Sequence, residues 1–177
     1  MTSRPACAVP SAMDERPHRR WPGLIGTIAS LAGMGVAGYL TYEHYTGSTS
    51  LVCSDKGIVN CLAVTTSSYS RVGGVPVAVL GLVFFAVMLA LQLPAMWNRD
   101  EPVIRKGRVA WSVVGVGTVV YLLYAELFRI DAICLWCTAV HVLTLVVFVS
   151  TVIATLGTAR LADDALTEDT LAGVVDE

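Results

Sequence analysis

Four apolar segments, each long enough to cross the hydrocarbon core of a membrane, constrain the fold of this chain. A transmembrane α-helix needs about 20 mostly apolar residues, and stretches of about that length lie at residues 21–42, 75–97, 109–128 and 133–156. Composition agrees, since 55% of the 177 residues are hydrophobic, 15% are charged and the mean hydropathy is +0.66. The sequence therefore predicts an all-α integral membrane protein built as a bundle of four transmembrane helices.

The segments that flank these spans divide the chain into three parts. We expect residues 1–20 to form a cytoplasmic N-terminal segment and residues 21–156 to form the four-helix membrane domain. Residues 157–177 form an acidic tail, which we expect to be disordered because it is short and poor in aromatic residues. The first span is preceded by basic residues, but no small-residue cleavage site follows it, so we expect it to be a retained helix and not a signal peptide.

The distribution of Lys and Arg predicts the orientation of the spans. Cytoplasmic loops carry an excess of these residues. Nine of the 12 lie in the N-terminal segment, the 98–108 loop and the C-terminal tail, whereas only Lys56, Arg71 and Arg129 lie on the other side. We therefore expect a multi-pass plasma-membrane protein with both termini in the cytoplasm. A net charge of −2 without a basic cluster gives no reason to expect nucleic acid as a partner.

Four of the five cysteines fall on the outer side under this topology. Cys53 and Cys61 lie in the extracytoplasmic loop between spans one and two, and Cys134 and Cys137 lie at the start of span four, whereas Cys7 is cytoplasmic. Oxidising compartments favour disulfides. Two outward cysteine pairs can pass electrons by thiol–disulfide exchange, from a soluble partner to the loop pair and then to the helix pair.

The spacing of Cys134 and Cys137 places both side chains on one face of a helix, within reach of a disulfide after local adjustment. A helix N-terminus lowers the pKa of a nearby thiol. We expect Asp131 to be the N-cap of this helix, with its side chain accepting a backbone N–H near Cys134. A charged Asp131 opposes thiolate formation, so the net direction stays open.

The combined cysteine and serine spacing resembles that of the vitamin K epoxide reductase family. The matching features are Cys53-x7-Cys61, Ser67 six residues later, Gly-Gly-Val-Pro-Val-Ala-Val-Leu-Gly at 73–81, and Cys-Leu-Trp-Cys at 134–137. Each feature alone is weak, but the joint spacing is specific. The similarity covers roughly residues 24–156, essentially the whole four-helix core.

This resemblance implies a quinone pocket near the outer face of the bundle and a redox role for each cysteine. Cys137 would react with the quinone, Cys134 would exchange with Cys61, and Cys53 would meet the soluble partner. Ser67 matches a Ser or Thr that supports the active site in the family. The electron acceptor would be a membrane quinone of the menaquinone or ubiquinone type, with no metal.

The implied function is a membrane thiol:quinone oxidoreductase that supports disulfide formation. Bacterial relatives with a fused thioredoxin-like domain carry it after an additional span, whereas only 21 residues follow span four here. We therefore expect the partner to be a separate extracytoplasmic thioredoxin-fold protein.

Two ionisable residues within the spans have more than one interpretation. His141, at the position of a family Tyr, shares a helix stripe with Cys134 and Cys137. It fits a quinone hydrogen-bond partner or proton shuttle, and it equally fits a structural histidine satisfied by a neighbouring helix. Glu126, near the outer end of span three, is interpreted as an interfacial charge in preference to a proton-path residue.

Two other functions remain compatible with the cysteines. The first is a non-catalytic membrane scaffold stapled by two static disulfides. The second is a metal site that uses thiolates and His141 as zinc ligands. The metal site is disfavoured because seven residues separate the loop cysteines, where zinc sites usually have two to four, and because an oxidising compartment favours disulfides over free thiolates.

Overall fold

The computed structural model of the protein is predominantly helical, and it describes residues 16–47, 53, 55–93, 96 and 101–175. The helices are α1 (Arg16–Thr46), α2 (Cys61–Thr65), α3 (Val77–Gln92), α4 (Pro102–Ala125) and α5 (Leu135–Val175), and a π-helical turn (Glu126–Ile130) extends α4. Between α1 and α3 lie two short hairpins and a 3₁₀ turn, formed by β1 (Asp55–Lys56), β2 (Val59–Asn60), the turn Ser68–Ser70, β3 (Arg71–Val72) and β4 (Val75–Pro76).

Three helical segments among the described residues are long and apolar enough to cross a membrane: Trp21–Thr46, Pro102–Ile130 and Leu135–Gly157. The membrane class and the helical fold are therefore confirmed. The helix at the second predicted span, α3, has only 16 residues. At 1.5 Å per residue it measures about 24 Å, which is shorter than a hydrocarbon core of about 30 Å.

The second span starts later than predicted because its first residues form a strand. Val75 and Pro76 make up β4, which pairs antiparallel with β3. Gly73 and Gly74 connect the strands with φ values of 60° and 85°, and a two-residue turn with both φ angles positive matches the twist of a hairpin. The Gly-Gly-Val-Pro sequence thus reverses the chain before α3 begins. Residues 94, 95 and 97 of the predicted span lie outside the described residues.

Helix α5 extends well beyond the predicted end of span four. The sequence predicts a boundary at residue 156 and a disordered tail from residue 157, whereas the helix continues to Val175. Ala and Leu recur through this segment, and both have high helix propensity. A single glycine, Gly157, costs only about 1 kcal/mol in a helix interior and does not end it.

Helix α1 packs against both α3 and α5, and α4 packs against α5. The largest buried cluster joins residues of α1, α3 and α5: Ala29, Ala37, Phe84, Phe85, Met88 and Val147. Gly33 permits this packing, because a Cβ at that position would collide with the Phe85 ring. In the same way, a Cβ at Gly115 of α4 would collide with the ring of Phe84.

Arg108 lies inside the fold, although the sequence places it in a cytoplasmic loop. Helix α4 begins at Pro102, a residue suited to the first turn, so Arg108 falls within the helix and is 3% exposed. Its Nε and Nη2 atoms donate to the carbonyl oxygen of Leu91 at 3.1 and 2.7 Å. The carbonyls of the last helical turn lack intrahelical partners, so Arg108 stabilises the C-terminal end of α3.

Candidate active site

Cys134 immediately precedes the first residue of α5 and acts as its cap. The backbone N–H of Cys137 donates to the Sγ atom of Cys134 at 3.3 Å. The carbonyl oxygen of Cys134 accepts both the backbone N–H and the hydroxyl of Thr138, at 2.9 and 3.0 Å. The sulfur therefore takes the place that a Ser or Asp oxygen has at an ordinary helix start.

The predicted role of Asp131 as this N-cap is wrong. Asp131 ends the π-helical turn in the left-handed conformation, with φ 53° and ψ 34°, and α5 starts only at Leu135. Between them, Ile133 forms a parallel bridge with Val59 of β2. The chain therefore turns sharply at Asp131 in order to run alongside the loop, and the cap position moves to Cys134.

Cys53 and Cys61 form a disulfide across the β1–β2 hairpin, with their Cα atoms 6.1 Å apart. The hairpin turns at Gly57, whose φ of 77° suits a residue without a side chain. Cys61 is the first residue of α2, and the side chain of Asn60 caps that helix by accepting the N–H of Ala63 at 3.0 Å. The local sequence thus holds the second loop cysteine at a fixed position.

Backbone hydrogen bonds attach this loop to the segment before α5. Asn60 N–H donates to the Ile133 carbonyl at 3.1 Å, and Ile133 N–H donates to the Ile58 carbonyl at 2.8 Å. Cys61 and Cys134 belong to one buried cluster and are 1% and 0% exposed. The loop disulfide is thus packed beside the first sulfur of the helix pair, while Cys134 and Cys137 are free thiols.

A cavity of about 860 Å³ opens between the helices and the loop. Its apolar wall includes Phe84 and Phe85 of α3 and Trp111 of α4. Cys137 lines the cavity, whereas the other three cysteines of the two pairs do not. The two sulfurs of the helix pair therefore face different surroundings: Cys134 packs against the loop disulfide, and Cys137 faces an apolar chamber.

The two residues predicted to bind a quinone also line this cavity. Ser67 is half-buried, and its hydroxyl donates to the Val64 carbonyl at 2.8 Å. His141 is 4% exposed, and its Nδ1 atom is buried without a hydrogen-bond partner among the described residues. An unsatisfied buried polar atom calls for an explanation such as a catalytic role or a bound molecule.

Glu126 is the site feature that the sequence interpretation misses. The sequence places it at the membrane interface, but its side chain is 3% exposed and lines the same cavity as Cys137 and His141. Glu126 opens the π-helical turn, whose far end is tied to the loop by a 2.7 Å hydrogen bond from Arg129 Nε to the Tyr69 hydroxyl. An acidic residue within an apolar span is the signal that could have identified it.

The pKa of the Cys134 thiol is lowered from its ordinary value, a direction that the sequence alone leaves open. A hydrogen bond from the Cys137 side chain lowers the pKa of Cys134, and the backbone N–H groups of Cys137 and Trp136 act in the same direction. Burial and the charge of Glu126 oppose them but do not prevail. Cys134 is therefore the sulfur that becomes a thiolate at lower pH than an ordinary cysteine, and a thiolate is the nucleophile in disulfide exchange.

A comparison with protein families agrees with this arrangement of cysteines. The sequence model of the vitamin K epoxide reductase family matches residues 24–152, most of the chain. The chain belongs to the vitamin K epoxide reductase family. Both cysteine pairs, Ser67 and His141 lie within the matched residues. The predicted family is thus confirmed, and membership makes the protein a membrane oxidoreductase of a family associated with thiol–disulfide chemistry and quinones.

The zinc-site alternative has no matching set of ligands in the part of the chain that the structure describes. No group of three or more His, Cys, Asp or Glu side chains there is arranged to hold a metal ion. Cys134 and Cys137 instead lie in a mostly apolar environment beside the loop disulfide.

Proposed function

We propose that this vitamin K epoxide reductase family member is a thiol:quinone oxidoreductase that reoxidises an extracytoplasmic thioredoxin-fold protein. The observation that supports it is the different placement of the two sulfurs in the helix pair. Cys134 is buried against the loop disulfide, and Cys137 lines the apolar cavity. A cysteine pair with one sulfur beside the loop disulfide and the other beside the cavity can receive electrons by disulfide exchange and deliver them to an acceptor in the cavity.

Disulfide exchange supplies the first half of the proposed route. A thiolate of the reduced partner attacks Cys53, the Cys53–Cys61 bond breaks, and the second partner thiol completes the partner's own disulfide. Cys61 then attacks Cys134 of an oxidised helix pair and releases Cys137. Attack by Cys53 on Cys61 restores the loop disulfide and leaves Cys134 and Cys137 reduced. The structure holds the same redox state, with the loop pair bonded and the helix pair free.

The cavity suits the ring of a membrane quinone. Its volume of about 860 Å³ falls in the range of small-molecule sites, which combine mostly apolar walls with a few polar groups. Phe84, Phe85 and Trp111 provide apolar wall, and the Nδ1 atom of His141, unpartnered among the described residues, provides a polar atom that a carbonyl or hydroxyl group would satisfy. A bound quinone supplies the capacity to accept two electrons and two protons.

The chain's own residues divide the remaining tasks. Oxidation of the helix pair forms a Cys134–Cys137 bond and releases two electrons and two protons. Cys137 is the sulfur that faces the acceptor, and Cys134 closes the disulfide. His141 hydrogen-bonds the ring and holds a proton at its imidazole. The Ser67 hydroxyl borders the same chamber and positions the ring.

The Lys and Arg distribution supports a location of this site at the outer face of the plasma membrane, with both termini in the cytoplasm. The loop disulfide then faces the compartment in which soluble disulfide-forming proteins work. A separate thioredoxin-fold partner completes the pathway at the loop.

Anaerobic turnover tests this proposal. The purified full chain is mixed with a reduced thioredoxin-fold disulfide-forming protein and either menadione or a short-chain ubiquinone, and quinone absorbance is followed. We expect quinone reduction that Cys137→Ala abolishes and Cys134→Ala blocks. Cys7→Ala is the matched control and should behave as the wild type does.

A static scaffold would give a different pattern. Its cysteine variants would lose stability without changing any redox flow, because its disulfides never exchange. Absence of cysteine-dependent reduction of every quinone tested would refute the proposed function.

A further inference from the structure

Glu126 is a buried carboxyl group for which the proposed electron route has no use. It lies within the apolar segment Pro102–Ile130, and its side chain is 3% exposed. Acidic residues within membrane spans are costly to bury, and those retained usually face a cavity and mark a proton or ion pathway. Glu126 meets that description because it lines the chamber shared by Cys137 and His141.

Pairing with a cation does not account for this carboxyl group. Among the described residues, no Lys or Arg forms an ion pair with the Glu126 carboxyl group. The nearest cationic residue in the sequence, Arg129, donates to Tyr69 instead. Glu126 and Cys137 line the same cavity, so the carboxyl group and this sulfur border one chamber.

We propose that Glu126 is a second proton-transferring residue of this site, which moves a proton between the Cys137 thiol and a quinone oxygen. This inference rests on the proposed function. Glu126 belongs to the π-helical turn that extends α4, whereas His141 belongs to α5. The cavity therefore receives acid–base groups from two different elements.

The proton and electron balance closes without an additional reactant. The Cys134 and Cys137 thiols lose two protons and two electrons as their disulfide forms, and the quinone gains two of each as it becomes a quinol. Glu126 gives its proton to the ring oxygen and takes one back from the thiol side. It therefore ends each turnover in the protonation state in which it began.

Other titratable groups border the same cavity and bear on any pH dependence. They come from α1, the loop and α5, and they are Glu43, His44, Tyr69, Arg71, Cys137 and His141. Glu43 is the other carboxyl group in this set, and it already takes part in an interaction. The experiment therefore compares Glu126 with Glu43 directly.

Single-turnover kinetics of the full chain provide the first test. Fully reduced protein is mixed with menadione across a pH series, in the wild type, Glu126→Gln, Glu126→Asp and Glu43→Gln. We expect Glu126→Gln to slow oxidation of the helix pair by about 100-fold, the lower end of the range for general acid–base catalysis. One limb of the pH profile should also disappear, whereas Glu126→Asp should keep the limb and recover part of the rate.

Two readouts separate proton transfer from a structural effect. Quenching of tryptophan fluorescence by menadione is measured in a Cys137→Ser background, and adding Glu126→Gln to that background should leave the Kd unchanged. Infrared difference spectra of quinone-free protein, reduced minus oxidised, should contain a deuterium-sensitive carboxylic-acid band that is absent from Glu126→Gln. Glu101→Gln, an exposed change at the start of α4, is the matched control for both measurements.

The outcomes distinguish the two proposals. If the wild type reduces no quinone, the proposed function fails together with this inference. If the wild type is active, this inference alone is overturned by an unchanged rate and pH profile in Glu126→Gln, by a larger loss in Glu43→Gln, or by a wild-type spectrum without the carboxylic-acid band. If Glu126→Gln does not fold, the rate and pH profile of Glu126→Asp decide in the same way.

Discussion

Cys134 and Cys137 are only three residues apart, yet their side chains meet different parts of the molecule. Cys134 caps α5 with its sulfur and packs with Cys61, whereas Cys137 sits one turn further along and lines the cavity. The helix start itself produces this difference, because the first sulfur lies outside the helix and the second lies within its first turn. Disulfide exchange and acceptor chemistry can thus be assigned to separate atoms.

Alkylation of Cys134 tests the electrostatic part of this assignment. Because the hydrogen bond from Cys137 lowers the pKa of Cys134, its thiolate should form below the usual cysteine midpoint of about pH 8.5. In reduced Cys7→Ala protein, the pH midpoint for iodoacetamide modification of Cys134, followed by mass spectrometry, should therefore be low. Cys137→Ala should raise that midpoint, and Cys137→Ser, which keeps a donor, should raise it less. A midpoint that falls or stays constant in Cys137→Ala would contradict the assignment.

Individual residues also mark the limit of what the sequence can predict. The cysteine spacing and Ser67 are sufficient to predict the family, and three of the predicted site residues, Ser67, Cys137 and His141, line the cavity. Asp131 and Glu126 escape correct interpretation because their roles depend on the π-helical turn and on the bridge from the loop to Ile133. Those features arise from contacts between distant segments, and hydrophobic periodicity carries no signal for them.

At the scale of secondary-structure elements, a glycine lets α4 approach α3 at the cavity wall. Gly115 faces Phe84 so closely that a side chain there would displace the ring, and Phe84 forms part of the cavity wall. Gly117, two residues along the same helix, has no neighbouring atom within 4 Å of the position that a Cβ would occupy. The two glycines therefore provide a matched pair of substitutions.

Gly115→Ala should damage both the packing and the cavity. Overpacking of a close contact typically costs about 1–3 kcal/mol, so thermal unfolding in detergent should occur at lower temperature and menadione should bind more weakly. Gly117→Ala should leave binding unchanged and raise stability slightly, since Gly in a helix interior is about 0.5–1 kcal/mol less favourable than Ala. Equal effects of the two substitutions would show that the Phe84 contact does not shape the cavity.

The sequence predicts helical segments in the right places but not their ends. Apolar length locates α1, α3, α4 and α5, since each predicted span overlaps a helix. The hairpin that shortens α3 depends on the pairing of β3 with β4. The extension of α5 to Val175 depends on the helix propensity of the residues in the tail. The acidic composition of the same residues instead predicts disorder.

At the scale of the whole molecule, the orientation in the membrane determines which compartment the loop disulfide meets. Fusions to alkaline phosphatase, which is active only outside the cytoplasm, test the expected orientation. A phosphatase fused after Glu177 should be inactive, and one inserted after Gly47, in the loop that carries Cys53 and Cys61, should be active. The reverse pattern would place the cysteines in the reducing compartment and remove the basis for disulfide exchange with an extracytoplasmic partner.

Electron transfer from the helix pair to a quinone is the step on which the proposed function depends. In the most direct measurement, fully reduced protein is mixed with menadione under anaerobic conditions and without the partner protein. Loss of quinone is followed by absorbance, and the disulfides are identified by mass spectrometry. We expect stoichiometric quinol formation together with a Cys134–Cys137 bond, and no reaction of Cys137→Ser protein. Quinone reduction that persists in Cys137→Ser, or a wild-type protein whose helix pair stays reduced in excess quinone, would contradict it.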